Sequence, residues 1–165
     1  MAIRNIRKDD EDEILRKKSR VVEEINDNII TLLDDMKETM YETKGVGLAA
    51  VQVGVLKRIF IVDVTEDKTG YIEFINPEII EKDGSQVGPE GCLSVPGVYG
   101  DVERANHIVV RAFDREGNEF ELEAEEFLAR AVQHEYDHLD GKIFRDIATK
   151  FYDPEEFKKE VEDGR

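Results

Sequence analysis

The stretch VQHEYDH, Val132 to His138, sets two histidines four residues apart with a glutamate beside the first. On a helix, His134 and His138 share one face a single turn apart, where both imidazoles reach one cation. Glu135 is offset from that pair. It is free to serve as a base toward a water held there, as in H-E-x-x-H chemistry. With three histidines in the chain, such a pattern arises by accident on the order of one per cent of the time. Two imidazoles do not complete a site, and the remaining soft donors are Cys92, the sole cysteine, and His107, which opens the β-rich NHIVV. A histidine at a strand start has ordinary surface or cross-strand uses, so Cys92 is the better third ligand. Its loop, PEGCLSVPG, can reach the helix. One thiolate with two imidazoles leaves a fourth position open, as catalysis requires, whereas a closed structural site would need a second thiol that the chain lacks.

These residues need elements to position them. The stretch EAEEFLARAVQHEYDHLDG has the acidic start, 3.6-residue period and closing Gly141 of a helix, expected over Glu123 to Leu139. An amphipathic helix is expected over Val22 to Tyr41, where Ile25, Ile29, Leu32, Leu33, Met36 and Met40 recur at helical steps. The glycines of ETKGVGLAAVQVG predict an irregular, partly extended loop. RIFIVDV and YIEFINP flank the turn-forming TEDKTG, and HIVVRAF and EFELEA flank DREGN, so each pair predicts an antiparallel hairpin. GPEGCLSVPGVYGD, dense in Gly and Pro, is expected to be loop or bulge. A short tail helix is expected from about Asp153. Without repeated strand–helix–strand units, the fold class is α+β, with antiparallel strands and hairpins packed around a metal-binding helix. The length suits one domain over residues 1–165.

The 165 residues carry 23 Lys and Arg against 39 Asp and Glu, a formal charge of −16 that repels nucleic-acid backbones and anionic lipid. The best basic cluster, RKKSR (Arg16 to Arg20), is expected to be a solvated face or turn. No direct nucleic-acid specificity and no membrane role are expected. The lone cysteine permits no internal disulfide, and the start of the chain lacks a signal-peptide core, so a cytoplasmic protein is expected.

GVGLAAVQ (Gly45 to Gln52), EGCLS (Glu90 to Ser94) and QHEYDHLDG (Gln133 to Gly141) together resemble, in order and spacing, the three signature motifs of the bacterial peptide deformylases. The likeness extends through LRKKSR and MYETKGVGLAA to about Asp146. It implies hydrolytic removal of the formyl group from the N-terminal N-formylmethionine of newly made proteins, releasing formate. Cys92, His134 and His138 would hold the metal, and Glu135 would take a proton from the attacking water and pass it to the leaving amine. The Gln52 side-chain amide and the Leu93 backbone N–H would donate to the formyl oxygen, although Gln52 could also simply hold its loop.

A substrate peptide would pair as an added strand along Val46, Gly47 and Leu48, gaining affinity without reading sequence. Selection would fall to an apolar methionine pocket. Phe127, Ala131 and the stem of Arg130 are pocket wall or ordinary helix packing. Glu90 and Arg104 would pair to brace the metal loop, with Asp137 in a similar part. Cysteine and histidine donors alone suggest zinc. The resemblance implies one Fe(2+) per chain, with Zn(2+), Ni(2+) or Co(2+) able to substitute. N-formylmethionyl nascent peptides are the expected partners, with transient ribosome association of a monomer. The tail YDPEEFKKEVEDGR is short and acidic where many relatives carry a longer basic helix, which counts against docking through it. Two other readings remain open: an H-E-x-x-H peptidase and a metal-stabilised binding module.

Overall fold

The computed structural model describes residues 2–158. Its centre is strand β2 (Ile59–Val62), a run of four apolar residues, all buried. Successive side chains of a strand point to opposite faces. Ile59 and Ile61 accordingly join one apolar cluster and Phe60 and Val62 another. Burial on both faces explains why the run does not alternate with polar residues, and each such side chain contributes about 1.5–3 kcal/mol.

The first cluster is closed by helix α1 (Asp27–Glu42) through Leu33, Met36 and Met40. The second is closed by helix α2 (Glu126–Leu139) through Ala129, Val132 and Leu139. The remaining strands are β1 (Gly47–Ala49), β3 (Ile72–Asp83), β4 (Gln86–Cys92), β5 (Val95–Arg104), β6 (His107–Phe113), β7 (Glu119–Glu125) and β8 (Lys150–Tyr152). They form a five-stranded sheet, β1-β2-β3-β6-β7, and a three-stranded sheet, β4-β5-β8. Every ladder within them is antiparallel. The α+β expectation and both hairpins hold.

Boundaries moved where a side chain overrode the pattern. Helix α1 starts five residues later than Val22, because Asn26 caps it by accepting from the Ile29 N–H at 3.1 Å. Helix α2 starts at Glu126, and the acidic residues before it finish β7. Strand β3 continues past Pro77, where a register shift between Ile75 and Glu78 absorbs the missing donor.

The largest correction concerns GPEGCLSVPGVYGD, expected as loop or bulge and found as the β4–β5 hairpin with a register shift between Gly91 and Cys92. Gly97 serves the turn with a φ of 77°, but two other glycines serve close approach: a Cβ on Gly91 would lie 2.6 Å from the Tyr99 ring, and one on Gly100 2.8 Å from Ala148. Pro89 is tolerated because β4 is an edge strand. The loop before Gln52 contains the short edge strand β1 and a 3-10 turn, Ala50–Val53. The tail helix is present over residues 154–158, and the rest of that expectation lies outside the described residues. Of the basic RKKSR stretch, Arg16 is spent on Asp9 and Asp146.

Candidate metal centre

Helix α2 supplies His134 and His138, and the register shift that ends β4 turns Cys92 toward them. The donor atoms of these three residues all lie within 4.8 Å of one another, with Cys92 Sγ 3.4 Å from His138 Nε2. His134 Nδ1 is bonded to Glu90 Oε1 at 2.8 Å, which leaves Nε2 for a cation. One thiol and two imidazoles at this spacing fit a zinc- or iron-class divalent ion. The three bring no fourth protein donor, so the fit is that of a catalytic rather than a closed structural centre. Burial and the neighbouring His134 hold His138 well below the usual histidine pKa, in the neutral form that a ligand needs. Burial opposes charge on His134 as well, yet Glu135, Cys92 and Glu90 outweigh it and raise its pKa. The same negative surroundings favour a cation.

Glu90 is the hub behind the histidines. Arg104 binds it through both oxygens, at 2.9 and 2.8 Å, and Arg130 adds a contact at 2.6 Å. Burial disfavours charge on Glu90, but Arg104 and His134 pull its pKa far below the usual range. Arg104 also reaches Asp137 at 2.6 Å. The expected bracing by Glu90, Arg104 and Asp137 therefore has its geometry. Arg130 does more than offer a stem: its guanidinium is buried on Glu90 and on the carbonyls of Gly88 and Val102. The sequence reading missed this. No local pattern signals it, because it depends on the burial of Glu90, which another segment of the chain creates.

Glu135 is 4 % exposed, and its Oε1 has no partner among the described residues. Burial, opposed by the charge of His134, raises its pKa to about 7, which suits a proton carrier at neutral pH. Gly47 makes room for it, since a Cβ there would lie 2.5 Å from Glu135 Oε2. Gln52 holds its loop and faces the centre from there. Its Oε1 accepts from the Ala49 N–H at 3.0 Å, while Nε2 lies 3.1 Å from Ser94 Oγ and 3.5 Å from Cys92 Sγ.

An N-terminal segment ties this region together. The Arg7 N–H donates to the Gln52 carbonyl at 2.7 Å, and the Asp9 N–H to the Ser94 carbonyl at 2.9 Å. Lys8 Nζ donates to the Leu93 carbonyl at 3.1 Å, and Asp9 is itself held by Arg16 and Arg145.

A cavity of ≈ 500 Å³ opens over the centre, and Cys92, His134, Glu135, Gln52 and Leu93 lie in its wall. Val46, Gly47, Phe127, Arg130 and Ala131 line it too, as does Glu90. Leu48 does not: its side chain is fully buried against α1, so only its main chain, on the outermost strand β1, remains for pairing. Lys8, Tyr99 and Phe157 also line the cavity and carried no signal in the sequence. His107 takes no part. It lies between Asp83 at 2.9 Å and Glu123 at 2.8 Å.

The family profile described as Polypeptide deformylase matches residues 3–153. Peptide deformylase 1 of Clostridium perfringens is 63% identical over 146 residues, covering 88% of this chain and 98% of its own. The crystal structure of a peptide deformylase from Legionella pneumophila superposes with a TM-score of 0.86 at 43% identity, covering 98% of this chain and 92% of that one. A Met-Ala-Ser-bound crystal structure of a class I type b peptide deformylase from Acinetobacter baumannii gives a TM-score of 0.84 at 35% identity, covering 88% and 99%.

Proposed function

The chain belongs to the polypeptide deformylase family, and from that premise we propose that it hydrolyses the formyl group from N-formylmethionyl nascent peptides with Fe(2+) as the working ion. Zn(2+), Ni(2+) or Co(2+) can take the same donors. Cys92, His134 and His138 would hold the ion, which when bound would supply Lewis acidity to a water and a carbonyl oxygen. Glu135 accepts the proton of the attacking water and delivers it to the leaving amine. The Gln52 amide and the Leu93 N–H donate to the charge developing on the formyl oxygen. Glu90, pinned by Arg104 and Arg130, keeps His134 turned with Nε2 toward the ion.

Substrate main chain pairs along the edge at Val46 to Leu48, with the methionine side chain against Phe127, Ala131 and the stem of Arg130. The Met-Ala-Ser-bound relative supports a tripeptide's fit in such a cavity. On this reading the 165-residue chain is one catalytic domain, a monomer in the cytoplasm that meets nascent chains in transient ribosome association. No helix among the described residues is long and apolar enough to cross a membrane.

The observation that carries the reading is Glu135: a buried carboxylate with an unpaired oxygen, beside a Cys/His/His donor set, in the wall of an open cavity. The test is incubation of anaerobically purified, iron-loaded protein with formyl-Met-Ala-Ser, measuring both formate and internal cleavage. Formate without cleavage is expected. Internal cleavage would instead make it an H-E-x-x-H peptidase, and neither product would make it a binding module.

A further inference from the structure

Main-chain pairing along β1 implies indifference to the residues that follow the methionine, but the opposite wall of the cavity is not featureless. Strand β8 adds to β5 with Tyr99 opposite Tyr152, Gly100 opposite Phe151 and Asp101 opposite Lys150. Asp101 strengthens the seam, accepting from the Thr149 N–H at 2.8 Å and from the Tyr152 hydroxyl at 2.8 Å. Asp153 then caps the helical turn over residues 154–158 by accepting from the Glu156 N–H at 2.8 Å. The turn sets Phe157 on Tyr99, with ring centroids 4.1 Å apart and planes 14° from parallel. The Tyr99 ring also lies against Gly91, whose missing side chain makes the space, one residue before the candidate ligand Cys92. Two stacked rings, one from the metal hairpin and one from the tail, thus line the cavity that holds Glu135.

We propose that Tyr99 and Phe157 form a specificity wall for the first two residues after the formyl-methionine, favouring large apolar or aromatic side chains there. This rests on the deformylase reading. With the formyl group at the metal centre and the methionine against Phe127 and Ala131, these rings are the remaining aromatic surface of the cavity wall, beside the smaller apolar Val46, Leu93 and Pro96. Phe157 belongs to a segment outside the three signature motifs, so the preference is a property of this chain's tail. The tail acts on substrate choice rather than on the chemistry, because Phe157 is neither a metal donor nor the proton carrier.

The experiment uses the full-length iron enzyme and two peptide series, formyl-Met-X-Ser and formyl-Met-Ala-X, with X as Gly, Asp, Leu or Phe. In at least one series the parent should prefer Phe or Leu over Gly by about three- to tenfold in kcat/KM, the range of one aromatic contact. Phe157→Ala should reduce that ratio to within about twofold of unity, by lowering kcat/KM on the Phe and Leu peptides more than on the Gly peptide, with full metal content. Phe157→Leu, which keeps an apolar surface, should retain an intermediate ratio. A parent without preference, a ratio unaltered in Phe157→Ala, or an equal loss on every peptide would overturn the proposal. Failure of the parent to release formate from any peptide would instead overturn the deformylase reading.

Discussion

Two clusters in this molecule place a histidine among potential metal donors: Cys92, His134 and His138 inside, and His107, Glu123 and Glu125 on the surface. Their spacings are alike, with all donors of each set within 4.8 Å. What differs is the use of the ring nitrogens. His107 gives both to carboxylates, Glu123 and Asp83, and these contacts raise its pKa, so it acts as a clasp between strands. His134 gives one nitrogen to Glu90 and keeps the other for the cavity, beside a glutamate oxygen with no partner. A metal centre is therefore recognised less by the distances between donors than by the valence left over once the protein has satisfied itself.

The contrast is broken most directly by removing donors. Cys92→Ala should abolish stoichiometric metal binding, whereas His107→Ala should leave a full equivalent, both read by metal analysis. Retention of the ion in Cys92→Ala would erase the distinction. Next in size, Glu135→Gln keeps shape but loses the base. Turnover should fall by at least about a hundredfold with metal content unchanged, and a fully metallated variant of near-normal turnover would remove Glu135 from the chemistry. Glu90→Gln tests whether the bonded nitrogen matters. Metal affinity should weaken by about ten- to a hundredfold, and stability should drop by about 3 kcal/mol because Arg104 and Arg130 lose their buried counter-charge. Competitive chelation and thermal melts separate the two effects.

The smallest effect belongs to the surface clasp. Its bonds to Glu123 and Asp83 raise the folded pKa of His107 above the ordinary 6.5. Their contribution is fully present below that ordinary value and is lost as pH rises through the raised one. The Tm difference between parent and His107→Gln should accordingly shrink as pH rises above 6.5 and through the raised pKa. A gap that widened over that range would contradict the clasp.

The same contrast explains what could be read from the chain. His134, Glu135 and His138 were legible because helical spacing alone sets them on one side of α2, and Cys92 because no other thiol competes. The β4–β5 hairpin was not, since Gly91 and Gly100 have the composition of a turn and are there for the rings and methyl groups packed on them. Nor was the placement of Arg130. A charged residue one turn before a ligand looks like a solvent-facing stem until Glu90 is known to be buried beside it. Local periodicity reveals which residues share a face. It does not reveal what another segment brings to that face, and both the Tyr99–Phe157 stack and the contact of Lys8 with Leu93 join segments far apart in the chain.

The segment of Arg7, Lys8 and Asp9 also has a bearing on the order in which the molecule is made. It holds the carbonyls of Gln52, Leu93 and Ser94, and Asp9 is held in turn by Arg145, 136 positions further along. At a synthesis rate of about 5–20 residues per second, roughly seven to thirty seconds separate the emergence of the two partners. Asp9 has Arg16 at once but waits for its second counter-charge, so the region around Gln52 and Ser94 is not fully fastened before residue 145 has left the ribosome. An incomplete chain would carry every metal donor by His138 and still lack that fastening.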